Sequence, residues 1–104
     1  MTIKWVKVDP LVMNGEPFCY GTRLTVRNIL EMRASGLSPD EMLTQHPELR
    51  RVGVAEAFRY AADNKARYED FFEKDGSLSG EGFDADSAGQ LPEHLRGLTG
   101  VVVS

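Results

Sequence analysis

Two helices joined by a short turn are predicted in residues 37–62, and this stretch constrains the fold more than any other. Ser38 is a favoured N-cap residue, and Pro39 suits the first position of a helix. A residue that precedes proline disfavours helical geometry, so Pro47 should end the helix just before it. The pattern therefore predicts a helix over roughly residues 39–46, followed by a turn.

The second helix is predicted from residue 51 to about residue 73, because mostly apolar side chains recur there at helical spacing. The recurring positions are Val54, Ala57, Phe58, Ala61, Lys65, Tyr68 and Phe72. Two helices joined in this way have the outline of a helix-turn-helix, a shape that also occurs in small domains that do not bind DNA.

The N-terminal part predicts one more helix and a β-arm. Thr25 should cap a helix that runs to about Ser35. Residues 2–8 alternate apolar and polar side chains and residues 17–20 suit a second short strand, with a turn signal between them. Two such strands are only marginally stable alone, so the arm should pack on the helices or pair with a second subunit. The expected fold is mainly α, with three helices, a short N-terminal β-arm or hairpin, and a C-terminal tail.

The composition changes at residue 75, and we divide the chain there into residues 1–74 and residues 75–104. Residues 75–90 are rich in Gly, Ser and Asp, which predicts a flexible linker that cannot form a core. The last fourteen residues regain apolar side chains, which either dock on the domain or bind a partner. The candidate partner-binding residues are Phe83, Leu95, Leu98, Val101, Val102 and Val103.

The distribution of charge along the chain is compatible with a nucleic-acid partner, although the net charge is −4. Acidic and basic residues balance over residues 1–74, whereas residues 75–104 hold five acidic residues against one arginine and account for the whole net charge. Residues 50–67 hold five basic and two acidic residues. A basic helix on a neutral body is compatible with DNA binding.

Two arginines at the start of the last predicted helix are the main functional candidates. Cations in the first turn oppose the helix dipole, at a cost on the order of 0.3–1 kcal/mol each. Arginine there can bind phosphates or the edge of guanine, although surface charges paired with neighbouring glutamates are an open alternative. Arg51, Ala55 and Arg59 are expected on one outward stripe of this helix, with Glu56 beside it. The candidate DNA-binding residues are Arg50, Arg51, Ala55, Glu56 and Arg59.

No pattern for catalysis, metal binding or cofactor binding is recognised. Cys19 with His46 or His94 could form a nucleophile and base, but no local spacing supports the pair, and a buried thiol is the better interpretation. One cysteine allows no internal disulfide and fits a reducing, cytoplasmic compartment. No apolar run approaches the roughly 20 residues that a transmembrane helix needs. We predict a non-catalytic protein with no metal, no cofactor and no membrane contact.

Two segments resemble the bacterial domain of unknown function 433, a homeodomain-like helix-turn-helix group. The shared elements, in chain order, are Asp9-Pro10, Asn14-Gly15-Glu16-Pro17, Gly21-Thr22-Arg23-Leu24-Thr25-Val26, Gly36 to Leu43, His46-Pro47-Glu48-Leu49 and Val54 to Ala61. The resemblance covers about residues 3–62. It implies a dimerising DNA-binding domain, which in some members is the antitoxin half of a VapBC-like pair whose partner is a PIN-like ribonuclease toxin.

The chain departs from this family at the start of the last helix. The family usually has threonine and acidic residues there, whereas this chain has Arg50-Arg51-Val52-Gly53. The departure weakens the helix start and favours nucleic-acid binding. We therefore expect a homodimeric antitoxin and transcriptional autoregulator that binds its own operator, and the alternative is a protein-interaction or dimerisation module that does not bind DNA. Arg23 is expected to bond backbone carbonyls between the arm and the helices, and the alternative is contact with a phosphate.

Overall fold

The computed structural model describes residues 5–96 and shows a mostly helical globule with a two-stranded antiparallel sheet packed on the helices. The Cα radius of gyration is 12.6 Å. Short 3-10 helices occupy Met13–Gly15 and Lys65–Phe71. The strands and α-helices are β1 (Val6–Lys7), β2 (Phe18–Cys19), α1 (Val26–Ala34), α2 (Pro39–Gln45), α3 (Arg51–Asp63), α4 (Ala85–Ala88) and α5 (Glu93–Arg96).

The predicted starts of α1 and α2 are confirmed, and each is a complete capping box. Thr25 Oγ1 accepts a hydrogen bond from the Asn28 amide at 3.0 Å, and the Asn28 side chain accepts one from the Thr25 amide at 3.0 Å. Ser38 and Glu41 make the same reciprocal pair at 3.2 and 3.0 Å. These bonds satisfy amide donors that a helix start otherwise leaves unpaired.

The predicted hairpin is also confirmed, although β1 ends at Lys7 rather than at residue 8, and residues 2–4 of the predicted strand lie outside the described residues. Val6 pairs with Cys19 and Lys7 with Phe18. Both strands pack against α3, where the Cys19 thiol donates to the carbonyl oxygen of Gly53 at 3.8 Å. Because the hairpin packs on α3, its two strands are stabilised within one subunit and do not require a second one.

The predicted length of the last helix is wrong, because α3 ends at Asp63 rather than near residue 73. Asn64 leaves the helical conformation (φ −131°, ψ 47°), and its side-chain amide donates to the Tyr60 carbonyl at 2.8 Å. Asparagine competes in this way with the backbone hydrogen bonds of a helix. The chain then continues in 3-10 turns with a further break at Tyr68.

The prediction that residues 75–90 form a flexible linker without core residues is wrong. Leu78, Phe83 and Ala88 are buried in the same core as α1–α3, and so are Leu91 and Leu95 farther along the chain. The average composition of residues 75–90 does not reveal these core residues. Each turn places one apolar side chain in the core, and the backbone groups of the turn make hydrogen bonds to other backbone groups. Four of the candidate partner-binding residues lie outside the described residues, namely Leu98, Val101, Val102 and Val103. The boundary between residues 74 and 75 stays a prediction.

Helix α3 is the centre of the fold. It contacts α1, α2, both strands and α5. Six of its thirteen residues are buried: Gly53, Val54, Ala55, Ala57, Phe58 and Ala61. Within residues 5–96, no helix has the length and apolarity to cross a membrane.

Candidate nucleic-acid interface

The corner between α2 and α3 holds the residues that the sequence assigned to DNA. Leu49 is buried in the turn and fixes it to the core. Arg50 is the N-cap residue of α3, and its side chain makes no capping hydrogen bond. It is exposed, and its guanidinium has no hydrogen bond or ion pair with the residues that the structure describes. An uncapped helix start beside a free guanidinium is a favourable place for an anion.

Arg51, by contrast, is engaged with other parts of the chain. Its Nη1 donates to Gln90 Oε1 at 3.1 Å, and its Nη2 lies 3.7 Å from Asp40 Oδ1. The same Asp40 carboxylate accepts a hydrogen bond from the buried Ser87 hydroxyl at 3.1 Å. A polar network therefore joins α2 and α3 to the C-terminal part of the chain.

The prediction that Ala55 lies on an outward stripe of the helix is wrong, because its exposed fraction is 0%. Glu56, the next residue, places Oε1 3.0 Å from Nε2 of His94. Since Arg51 and Glu56 on either side of Ala55 both contact residues 90–94, this part of the chain lies over that side of α3. The sequence gives no local signal for this long-range packing.

Arg59 remains half exposed, but its charge is compensated. Nη1 lies 3.2 Å from Glu56 Oε2, and Nε lies 3.8 Å from Asp63 Oδ2. Exposed ion pairs of this kind are weak, so a phosphate could compete for the guanidinium. Of the five candidate residues, the structure brings Arg51, Ala55 and Glu56 together beneath residues 90–94 and leaves Arg50 open.

Arg23 does not have the structural role that the sequence suggested. It is exposed and makes no hydrogen bond to a backbone carbonyl within residues 5–96. Open grooves flank it, one shared with Glu48 of the α2–α3 turn and the other with Leu11 and Val12 of the arm. Arg23 is therefore a second open cation near the start of α3.

The α2–α3 corner lies within a segment that matches a known protein family. A family model described as a protein of unknown function, DUF433, matches residues 6–61, which is more than half of the chain. The chain belongs to the DUF433 family. The matched segment runs from the start of β1 into α3 and leaves residues 62–104 outside the match. Neither a curated protein nor a solved structure matches the chain.

Arg33, in α1 of the DUF433 segment, binds the backbone of residues 78–80, a contact that the sequence did not predict. Its exposed fraction is 4%, and its guanidinium lies 4.5 Å from the centre of the Phe58 ring. It donates to the carbonyl oxygens of Leu78, Ser79 and Gly80 at 3.5, 3.1 and 3.4 Å. Burial lowers its pKa from 12.5 to about 10, so it stays charged at neutral pH. The sequence feature that indicates its burial is the helical spacing of Arg33 with the apolar residues Val26, Ile29 and Leu30, which places all four on one face of α1.

The chemistry of Cys19 in the DUF433 segment is that of a buried thiol. Burial raises its pKa from 9.0 to about 12, which keeps the thiol protonated at neutral pH. A protonated thiol is a poor nucleophile. Among residues 5–96, no group of three or more His, Cys, Asp and Glu side chains is arranged to hold a metal ion.

Proposed function

We propose that this protein is a small DNA-binding regulator that contacts phosphates at the start of α3. The observation that carries the proposal is the pair of open guanidiniums, Arg50 and Arg23, which flank the α2–α3 corner without an acidic partner among the described residues. An N-cap arginine contributes no capping bond, so its position is explained better by a ligand than by stability. Family membership supports the same proposal through the helix-turn-helix resemblance.

The wider biological role is proposed from the resemblance to VapB-type antitoxins. The protein would act in the cytoplasm as a homodimeric antitoxin, bind its own operator, and neutralise a PIN-like ribonuclease toxin. In the folded protein Phe83 and Leu95 are core residues, with exposed fractions of 1% and 0%. A toxin contact through these two side chains would therefore require residues 83–95 to leave the core.

The test of DNA binding is fluorescence anisotropy of a labelled duplex from the protein's own upstream region, measured at several salt concentrations. Arg50→Gln and Arg23→Gln should each weaken binding and reduce the salt slope by about 0.9, the value for one lost phosphate contact. Lys74→Gln is the matched control, because it removes one exposed positive charge outside this corner. Equal effects of all three substitutions would contradict the assigned surface.

A protein-interaction module is the second candidate, and the arm favours it. Val8, Leu11, Val12 and Tyr20 are large apolar residues that remain exposed, Leu11 at 94%. Such residues together suit a contact between subunits or with a partner protein. Sedimentation equilibrium of the Leu11→Lys variant distinguishes the cases: a loss of self-association supports an arm-mediated dimer, and an unchanged mass contradicts it.

A further inference from the structure

Residues 78–96, which we call the C-terminal segment, cover the side of α3 that the sequence marks for DNA. Helix α5 packs on α3, and Leu91 and Leu95 are buried with exposed fractions of 1% and 0%. Ala55, which would face a DNA groove if α3 were a recognition helix, has no exposed surface. DNA cannot reach this side of α3 while the segment is docked.

The polar contacts of the segment occupy the groups that DNA would use. Gln90 accepts the Arg51 hydrogen bond that a phosphate or a guanine edge would otherwise accept. His94 lies against Glu56 at 3.0 Å. Within the part of the chain that the structure describes, the buried Nε of Arg51 has no acceptor. The docked segment therefore satisfies this guanidinium incompletely, and its Nε could find an acceptor only once the segment is released.

The segment is also acidic. Residues 78–96 hold four acidic residues against one arginine, and the acidic residues are Glu81, Asp84, Asp86 and Glu93. Like charges repel the phosphates of DNA at short range. Steric cover and charge therefore act in the same direction.

The segment is held at its beginning by a contact that can be broken selectively. Arg33 binds the carbonyl oxygens of residues 78–80, and Gly80 there has φ +93°. A Cβ atom on Gly80 would overlap the backbone carbonyl of Arg33, so alanine at this position must displace the loop. Gly76 has a similar φ of +91°, but its Cβ would meet only the end of the Lys65 side chain, at 3.4 Å.

We propose that the C-terminal segment is autoinhibitory and competes with DNA for the outer side of α3. The inference rests on the proposed function and adds regulation to it. In the docked state Arg50 and Arg23 give weak, sequence-independent phosphate contacts. Release of the segment opens Arg51 and the surface around Ala55 for contacts with bases. The apparent affinity for specific DNA is then the affinity of the released state multiplied by the fraction of molecules in which the segment is released.

The test compares the full-length wild type with Gly80→Ala and with the matched control Gly76→Ala. Hydrogen exchange reports whether residues 85–96 are released, and anisotropy reports the affinity for the upstream duplex and for an unrelated duplex. Gly80→Ala should speed exchange in residues 85–96 and raise specific affinity by about fivefold or more, a usual size for coupling between sites. Gly76→Ala introduces the same kind of backbone strain at φ +91°, but it should leave the exchange of residues 85–96 and the affinity for both duplexes at the wild-type values. A triple variant, Ser87→Ala, Gln90→Ala and His94→Ala, releases the segment by another route if Gly80→Ala does not fold.

Each outcome has a defined meaning. Faster exchange together with a higher ratio of specific to unrelated binding supports autoinhibition. Release with unchanged affinity, in a protein whose wild type binds DNA, overturns autoinhibition and leaves the proposed function standing. Failure of both routes to release the segment makes it a permanent part of the fold and also overturns the inference. No binding by any form overturns the inference and the proposed function together.

Discussion

At the scale of single residues, the buried thiol of Cys19 makes stability depend on alkaline pH. Its pKa is raised by burial from 9.0 to about 12, so the unfolded chain loses this proton first as the pH rises. The free energy of unfolding should therefore fall between about pH 9 and pH 12. The pKa of Tyr68 is also raised, from 10.0 to about 12, mainly by burial. Its ionisation should therefore also lower the free energy of unfolding as the pH rises.

The variant Cys19→Ala isolates the thiol contribution, because it leaves Tyr68 in place. Urea unfolding at pH 8 and pH 10.5 should show a smaller loss of stability for Cys19→Ala than for the wild type. Identical pH dependence of the two proteins would show that Cys19 ionises normally in the folded state and would contradict its burial against Gly53.

Arg33 is the second residue whose environment predicts a measurable effect. Arg33→Met keeps the packing of the stem but leaves the carbonyl oxygens of residues 78–80 without this donor, which should cost about 1–3 kcal/mol. Arg27→Met on the same helix is the control, because Arg27 bonds the carbonyl of Arg67 at an exposed site. Chemical denaturation measures both. Equal losses would mean that the buried contacts of Arg33 have no special weight.

At the scale of the helices, α3 has the least stabilised N-terminus among α1, α2 and α3. Thr25 and Ser38 cap α1 and α2, whereas Arg50 provides no capping bond for α3. Arg50→Ser should therefore raise the free energy of unfolding by about 0.5–2 kcal/mol, the usual contribution of an N-cap residue. Urea unfolding measures the gain, and Arg23→Ser serves as a charge-matched control.

The same Arg50→Ser variant should bind DNA more weakly, because a phosphate contact is lost as the helix becomes more stable. Such an opposition between stability and binding is typical of a functional position. A variant that is more stable and binds DNA as well as the wild type would argue against a phosphate contact at Arg50.

Elements whose signals are local were predictable from the sequence. The caps at Thr25 and Ser38, the hairpin and the chain order of α1, α2 and α3 all depend on neighbouring residues, and all are present. The end of α3 was missed because helical spacing continues through Tyr68, although Asn64 had already turned the backbone out of the helix. The cover over Ala55 depends on residues more than thirty positions away, which periodicity cannot reveal.

At the scale of the whole molecule, the C-terminal segment belongs to the core. The rings of Phe83 and Phe58 lie 6.0 Å apart, and Leu91 and Leu95 complete the cluster. Removing residues 75–104 should therefore expose apolar surface on α1 and α3 and lower the free energy of unfolding by several kcal/mol, since loss of one large buried side chain alone costs about 2–5 kcal/mol. Calorimetry of the truncated chain measures this loss, and a midpoint equal to that of the full chain would contradict it.

Cover of α3 by the C-terminal segment is the central claim, and amide hydrogen exchange of the full-length protein tests it most directly. The amides of Ala88, Leu91 and Leu95 bond the carbonyls of Asp84, Ala88 and Pro92 in this arrangement. If the segment is docked but can be released from a folded α3, these amides should be protected relative to an unstructured peptide and should exchange faster than the buried face of α3. Exchange of residues 85–96 at the rate of an unstructured peptide, with α3 still protected, would contradict the account.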